Sequence, residues 1–162
     1  MAVTTQESTE YTNAYSTSPV VANPTSSVHG KVRIAYFTHD QSGAGDATSS
    51  VALCKLPAGR VRVLLSSSNA YVNWTTASAT LDLGWDAYED IDGTAVAADP
   101  DGLLDGLDVD AVGYQNFGAD QTATGGTYLF ESKDGVVIRA TSQDVAIADG
   151  DDLVGYLMYV VD

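Results

Sequence analysis

The chain has 162 residues and a formal charge of −15, with 22 acidic residues against 7 basic ones. That length suits about one domain, and the charge disfavours nucleic acid, which needs clustered Lys and Arg to displace counterions, as well as anionic membranes. The acids comprise eighteen Asp and only four Glu, a bias towards turns and caps over helix interiors.

Residues 1–29 read as an arm. They hold eleven Ser or Thr, two Pro and no Lys or Arg, with Tyr11, Tyr15, Val20 and Val21 as the prominent apolar groups. Such a segment buries too little surface to offset the entropy of ordering, so a flexible arm is expected. Two readings stand, a free tail or an arm that orders on a neighbour; paired tyrosines and "SPVVANP" suit extended docking. The opening "MAVTTQESTEYTNAYSTSP" has neither the basic nor the apolar part of a secretory signal, and no apolar run is long enough to span a bilayer.

From residue 30 to 162 the pattern is that of one β-sandwich domain. In "KVRIAYF" the residues Val32, Ile34 and Tyr36 alternate with Lys31 and Arg33, which predicts a strand with the apolar set inward. "VALCKL" is a second strand, followed by "LPAG" as a hairpin turn into "RVRVLL", with Val61, Val63 and Leu65 inward and Arg60 and Arg62 outward. "SATLDLGW", "GTYLFES", "GVVIRAT", "DVAIA" and "LVGYLMYVV" supply five more strands. Asp134-Gly135 in "SKDGVV" gives the clearest two-residue hairpin signal. The sum is an all-β fold, a β-sandwich.

Both alternating sets of the last strand are apolar, so it is expected to be covered on both faces, by a loop or the arm on one reading and by another subunit on the other. Residues 86–110 read as a long acidic loop, with room for a short helical turn somewhere in 86–112. Asp99, Asp101, Asp105, Asp108 and Asp110 face water there, while Leu103, Leu104, Leu107 and Val109 fold against the sandwich. No window matches a helix-loop-helix calcium site, where "YEDIDG" comes nearest. An irregular calcium cage from Asp86, Asp90, Asp92, Asp101 or Asp105 is the alternative to a solvated loop.

Nothing in the chain carries a catalytic signature. His29 and His39 are its two histidines, no nucleophile elbow, phosphate loop or cofactor fingerprint occurs, and no cofactor is expected. Cys54 is the single cysteine, so no intramolecular disulfide forms, and its place within a strand suits a buried inert thiol. Tyr71 and Trp74 in "SNAYVNW" leave open a carbohydrate-binding surface, which requires both rings on one flat exposed face.

The run "ALCKLPAGRVRVL", then "SATLDLGW", "DAYEDIDGTAVAADPDGLLDGLDV", "FESKDGVVIRAT" and the closing "LVGYLMYVVD", resembles small structural proteins of tailed bacteriophages over roughly residues 31–162. The resemblance implies a virion protein, most naturally a head decoration or cement protein with a jelly-roll-like sandwich, on the outer capsid surface. Its partner would be the major capsid protein and its state a homo-oligomer, with a trimer favoured; a tail or neck component is the near alternative. On that reading Tyr11, Tyr15, Val20, Val21, Lys31, Arg33, Arg60 and Arg62 are the expected contacts to the capsid or a neighbouring protomer.

Overall fold

A computed structural model describes residues 7–25, 28, 30–74, 76–119, 122 and 124–162. Twelve strands follow in chain order: β1 (Val32–Asp40), β2 (Ser50–Leu56), β3 (Gly59–Leu64), β4 (Asn69–Val72), β5 (Thr80–Trp85), β6 (Tyr88–Glu89), β7 (Ala95–Val96), β8 (Asp99–Asp108), β9 (Gly113–Asn116), β10 (Thr127–Ser132), β11 (Val136–Ser142) and β12 (Asp152–Val161). All pairings among the described residues are antiparallel, and one series of them is nested. The first strand meets the last, β2 meets β11, β3 and β4 meet β10 and β9, and β5 meets β8.

One sheet runs β2-β11-β5-β8; the other is built around β12, with β1 on one side and β3 and β4 on the other, flanked by β10 and β9. Nested pairs folded into two facing sheets make a jelly roll: the alternation predicts the sandwich, and the resemblance implies its jelly-roll form. The core lies between the sheets, where Val61, Val63, Leu81, Leu83, Leu104, Phe130, Ile138, Leu153 and Leu157 are all buried. Each such side chain contributes about 1.5–3 kcal/mol relative to exposure. Trp85, Tyr128 and Phe130 form a ring cluster with centroids 4.7 to 5.3 Å apart, joining β5 of one sheet to β10 of the other.

The two turn signals hold as turns but not as hairpins. β2 and β3 lie in different sheets, as do β10 and β11, so "LPAG" and "SKDG" are corners where the chain crosses between layers. They bend side by side, because Val136 pairs with Leu56 and Ser132 with Gly59. Gly59 and Gly135 take positive φ there, and a Cβ on Gly135 would stand 2.3 Å from the Leu56 carbonyl oxygen. A local turn motif fixes a reversal of direction; it does not say whether the strands it joins share a sheet.

Two segments differ from the sequence reading. Residues 99–108 form a strand, not a loop, and no helix occurs within 86–112. β8 is irregular, with register shifts against β5 and Gly106 at positive φ, so its apolar spacing departs from strict alternation. Leu103, Leu104, Leu107 and Val109 are nonetheless buried as expected. "DVAIA" is not a strand beyond a single bridge from Ile147 to Gly45. Side chains take up its backbone groups: the Ser142 hydroxyl donates to the Val145 carbonyl, and the Ala148 N–H donates to Asp151 at 2.8 Å.

Candidate interaction surfaces

β1 presents the opposite face from the one expected. Phe37 is its buried residue, while Val32, Ile34 and Tyr36 are 54%, 58% and 67% exposed. The alternation was right and the inward set was wrong, because Arg33 and Ala35 share the parity of Phe37. Arg33 escapes burial at the strand's outer end and is exposed.

Pairing carries this stripe across the sheet. Val32, Ile34 and Tyr36 stand opposite Val160, Met158 and Tyr156 of β12. Val154 and Tyr156 then face Tyr71 and Asn69 of β4, and Tyr71 faces Tyr114 of β9. Tyr71 and Tyr114 meet edge to face at 5.4 Å, and the Asn69 amide donates to the Tyr156 hydroxyl at 2.8 Å. The result is a broad apolar and aromatic face, bordered at one end by the paired positions Asp40 and Asp152. Its composition of Tyr, Met, Ile and Val without carboxylates is that of an interface core.

The double apolar pattern of β12 has a mixed outcome. Leu153 and Leu157 are buried against the opposite sheet. On the outer side Val160 is buried as well, since the arm's base closes over it: a Cβ on Gly30 would fall 2.2 Å from a Val160 methyl. Met158, Tyr156 and Val154 stay half-buried.

Thr25 fixes the arm there, its N–H and hydroxyl both donating to the Asp162 carboxylate, at 2.6 and 2.5 Å. Beyond this anchor a helical turn spans Thr9–Tyr11 and Thr12–Ser16, with the Ser8 hydroxyl accepting from the Tyr11 N–H at 3.2 Å. The Tyr11 and Tyr15 rings meet at 4.9 Å and line an open groove with Val20 and Val21. Those four side chains are 51%, 71%, 67% and 49% exposed.

The expected basic contacts gather near this same end. Arg62 stands opposite Val160, Arg33 stands opposite Tyr159, and the Asp162 N–H donates to the Arg60 carbonyl at 2.9 Å. Arg60 points outward as expected and forms an ion pair with Glu131. Lys31 is exposed beside the arm's base. The sequence reading named the arm residues and the four cations as contacts without relating them in space; it assigned Val32, Ile34 and Tyr36 to the core, expected a cover over the Tyr156 and Met158 side of the last strand, and passed over Tyr114. A usable signal was present: residues 11–39 contain no Asp or Glu, although the chain has 22.

The acidic half is organised differently. The Arg139 guanidinium clamps Asp86 with two bonds of 2.7 and 2.8 Å, and this holds the Asp86 carboxyl below the usual carboxylate range. Asp99 is pushed up by a hydrogen bond shared with Asp101. Asp82 is fully buried; desolvation raises its pKa, against the Gly106 N–H that one oxygen accepts at 2.8 Å. Among the described residues no three His, Cys, Asp or Glu side chains stand close enough to hold a metal ion.

The remaining chemical candidates fall inside the fold. Trp74 is 2% exposed, so it forms no flat stacking platform with Tyr71. Burial pushes the Cys54 thiol up to about 11, which keeps it protonated and unreactive at neutral pH. His39 contacts the Gln41 side chain at 3.1 Å, and His29 lies outside the described residues.

No protein-family model matches the chain, and no curated protein matches it. Among solved structures its fold is similar to a chain in the capsid of Ralstonia phage GP4, with a TM-score of 0.63 and 20% identity over 82% of this chain and 86% of that one. It is also similar to a chain in the capsid asymmetric unit of cyanophage Pam1, with a TM-score of 0.53 and 19% identity over 88% of this chain and 93% of that one. At these identities the likeness is one of fold, and it spans most of both partners.

Proposed function

We propose that this chain is a structural protein of a bacteriophage virion, a decoration or cement protein bound to the outside of the head. The carrying observation is the jelly-roll body, whose fold matches most of a chain from the GP4 phage capsid. The surfaces fit such a role, since the exposed arm and the apolar sheet face are built for contact with protein.

The mechanism is mechanical. A protein that buries surface on two or more shell subunits stabilises the assembled state by mass action. Several weak contacts on one rigid body also gain avidity when they engage together. Lys31, Arg33 and Arg62, beside the arm's base, would meet acidic ground on the major capsid protein, while the −15 charge keeps the unbound protein soluble.

The test is to purify virions of the phage that encodes this chain, quantify it by mass spectrometry, and label intact heads with antibody. A fixed ratio to the shell protein with gold on the head surface is the expected result. Absence from particles would end the virion reading, whereas label on the neck or tail would move the protein to those parts.

A further inference from the structure

Among the described residues, exposed large apolar side chains concentrate on two surfaces. Tyr11, Tyr15, Val20 and Val21 lie on the arm; Val32, Ile34, Tyr36 and Tyr114 lie on the β1/β12/β4/β9 face; Ile91 and Val112 stand apart. We propose that the two surfaces are each other's partners between copies: the arm of one chain docks on the sheet face of the next.

Three observations carry this. The first is charge. Two molecules at −15 repel wherever carboxylates meet, yet the 11–39 segment has none of its own, with Glu7 folded beside it onto Ser16, and the Ile34, Tyr36, Met158, Tyr156, Tyr71 and Tyr114 face meets carboxylates only at its Asp40 and Asp152 end. These are the surfaces on which copies can touch with the least like-charge cost.

The second is occupancy. The arm is tied by Thr25 to Asp162 at the Val160 end of β12, and with it in place Ile34 and Tyr36 remain more than half exposed. A chain's own arm thus leaves its own face open.

The third is self-complementarity in chemistry. Aromatic and branched apolar groups on one surface meet aromatic and branched apolar groups on the other, the composition that dominates interface cores. Because the surfaces differ, the contact is heterologous, and a ring forms where its rotation closes. The inference goes beyond the virion reading and is tested on the purified chain alone.

The experiment measures solution mass by sedimentation for the full chain and two double variants, Ile34→Asp with Tyr36→Asp and Tyr15→Asp with Val20→Asp. The parent is expected to sediment as a closed oligomer, and each variant to associate at least about thirtyfold more weakly, with circular dichroism showing that the sheet is kept. A mixing arm keeps the idea testable should a variant misfold. On a Cys54→Ser background, chains carrying Tyr15→Cys are mixed with chains carrying Tyr36→Cys and treated with a short bis-maleimide. Adducts joining the two kinds of chain are expected. A parent that stays monomeric at the highest attainable concentration would overturn the proposal. So would a chain bearing both cysteines that links only within itself, or a monomer whose Tyr36 variant loses only capsid binding.

Discussion

The β5/β8 half and the β1/β12 half solve the same problem in opposite ways. Along β8 Leu103, Leu104 and Leu107 are buried while Asp105 and Asp108 are exposed, so the sheet ends at water. Along β1 the residues turned outward are Val32, Ile34 and Tyr36, and the inward anchor is Phe37. Alternation says that two faces differ; the chemistry of the less buried set says whether that face is finished or awaits a partner.

The largest effect should come from the core that both halves share. Phe130→Ala removes the ring packed against Trp85 and Tyr128 and should cost about 3–5 kcal/mol in chemical denaturation. Next comes a change confined to the acidic half. Gly84 lies where β8 crosses so closely that a Cβ would stand 1.9 Å from the Asp99 carbonyl oxygen, so Gly84→Ala should cost about 1–3 kcal/mol by forcing the backbones apart. A value near zero would mean that β8 is not held there.

Asp82→Asn should act in the other direction. Burial raises the Asp82 pKa, so the folded state holds that proton more tightly than the unfolded chain. The cost of ionising it is absent below the ordinary value of 3.8 and fully present above the raised folded value. Asn keeps the acceptor for Gly106 without the charge. The variant should be stabilised by about 1 kcal/mol at neutral pH, with the gain vanishing as the pH falls towards 3.8.

Arg139→Gln tests the clamp on Asp86 with the reverse sign. Asp86 is lowered by Arg139, so its contribution is present above the ordinary carboxylate value and lost as pH falls through the lowered one. Both side chains are about a third or more exposed, so solvent screening limits the loss to less than about 1 kcal/mol at neutral pH. Melts of parent and variant should converge in acid. Smallest of all, Ile34→Thr should shift the stability of dilute protein by less than about 0.5 kcal/mol, since its side chain has no core to leave.

The sequence disclosed most of the strands because period-two alternation is local, and the β3, β5, β10, β11 and β12 segments carry it plainly. It also marked where the chain reverses at "LPAG" and "SKDG". Which strands became partners was hidden, since Leu56 meets Val136 and Val32 meets Val160 far along the chain, and local patterns do not encode such distance. β4 and β9 were too short to announce themselves, and β8 was masked by its aspartates and register shifts. The face of β1 was misassigned because hydrophobicity was taken to mean burial, a rule that holds in one direction only.

The nested pairing also has a kinetic consequence. β12 lies between β1 and the β3/β4 pair; β3 and β4 have β10 and β9 as earlier partners, whereas β1 pairs with β12 alone and must wait for it. Sheets assembled from contacts this remote in the chain form slowly. On the ribosome, β1 stays without its mate until β12 emerges, and through that interval the carboxylate-free 11–39 segment helps decide whether nascent molecules stay apart or meet too early.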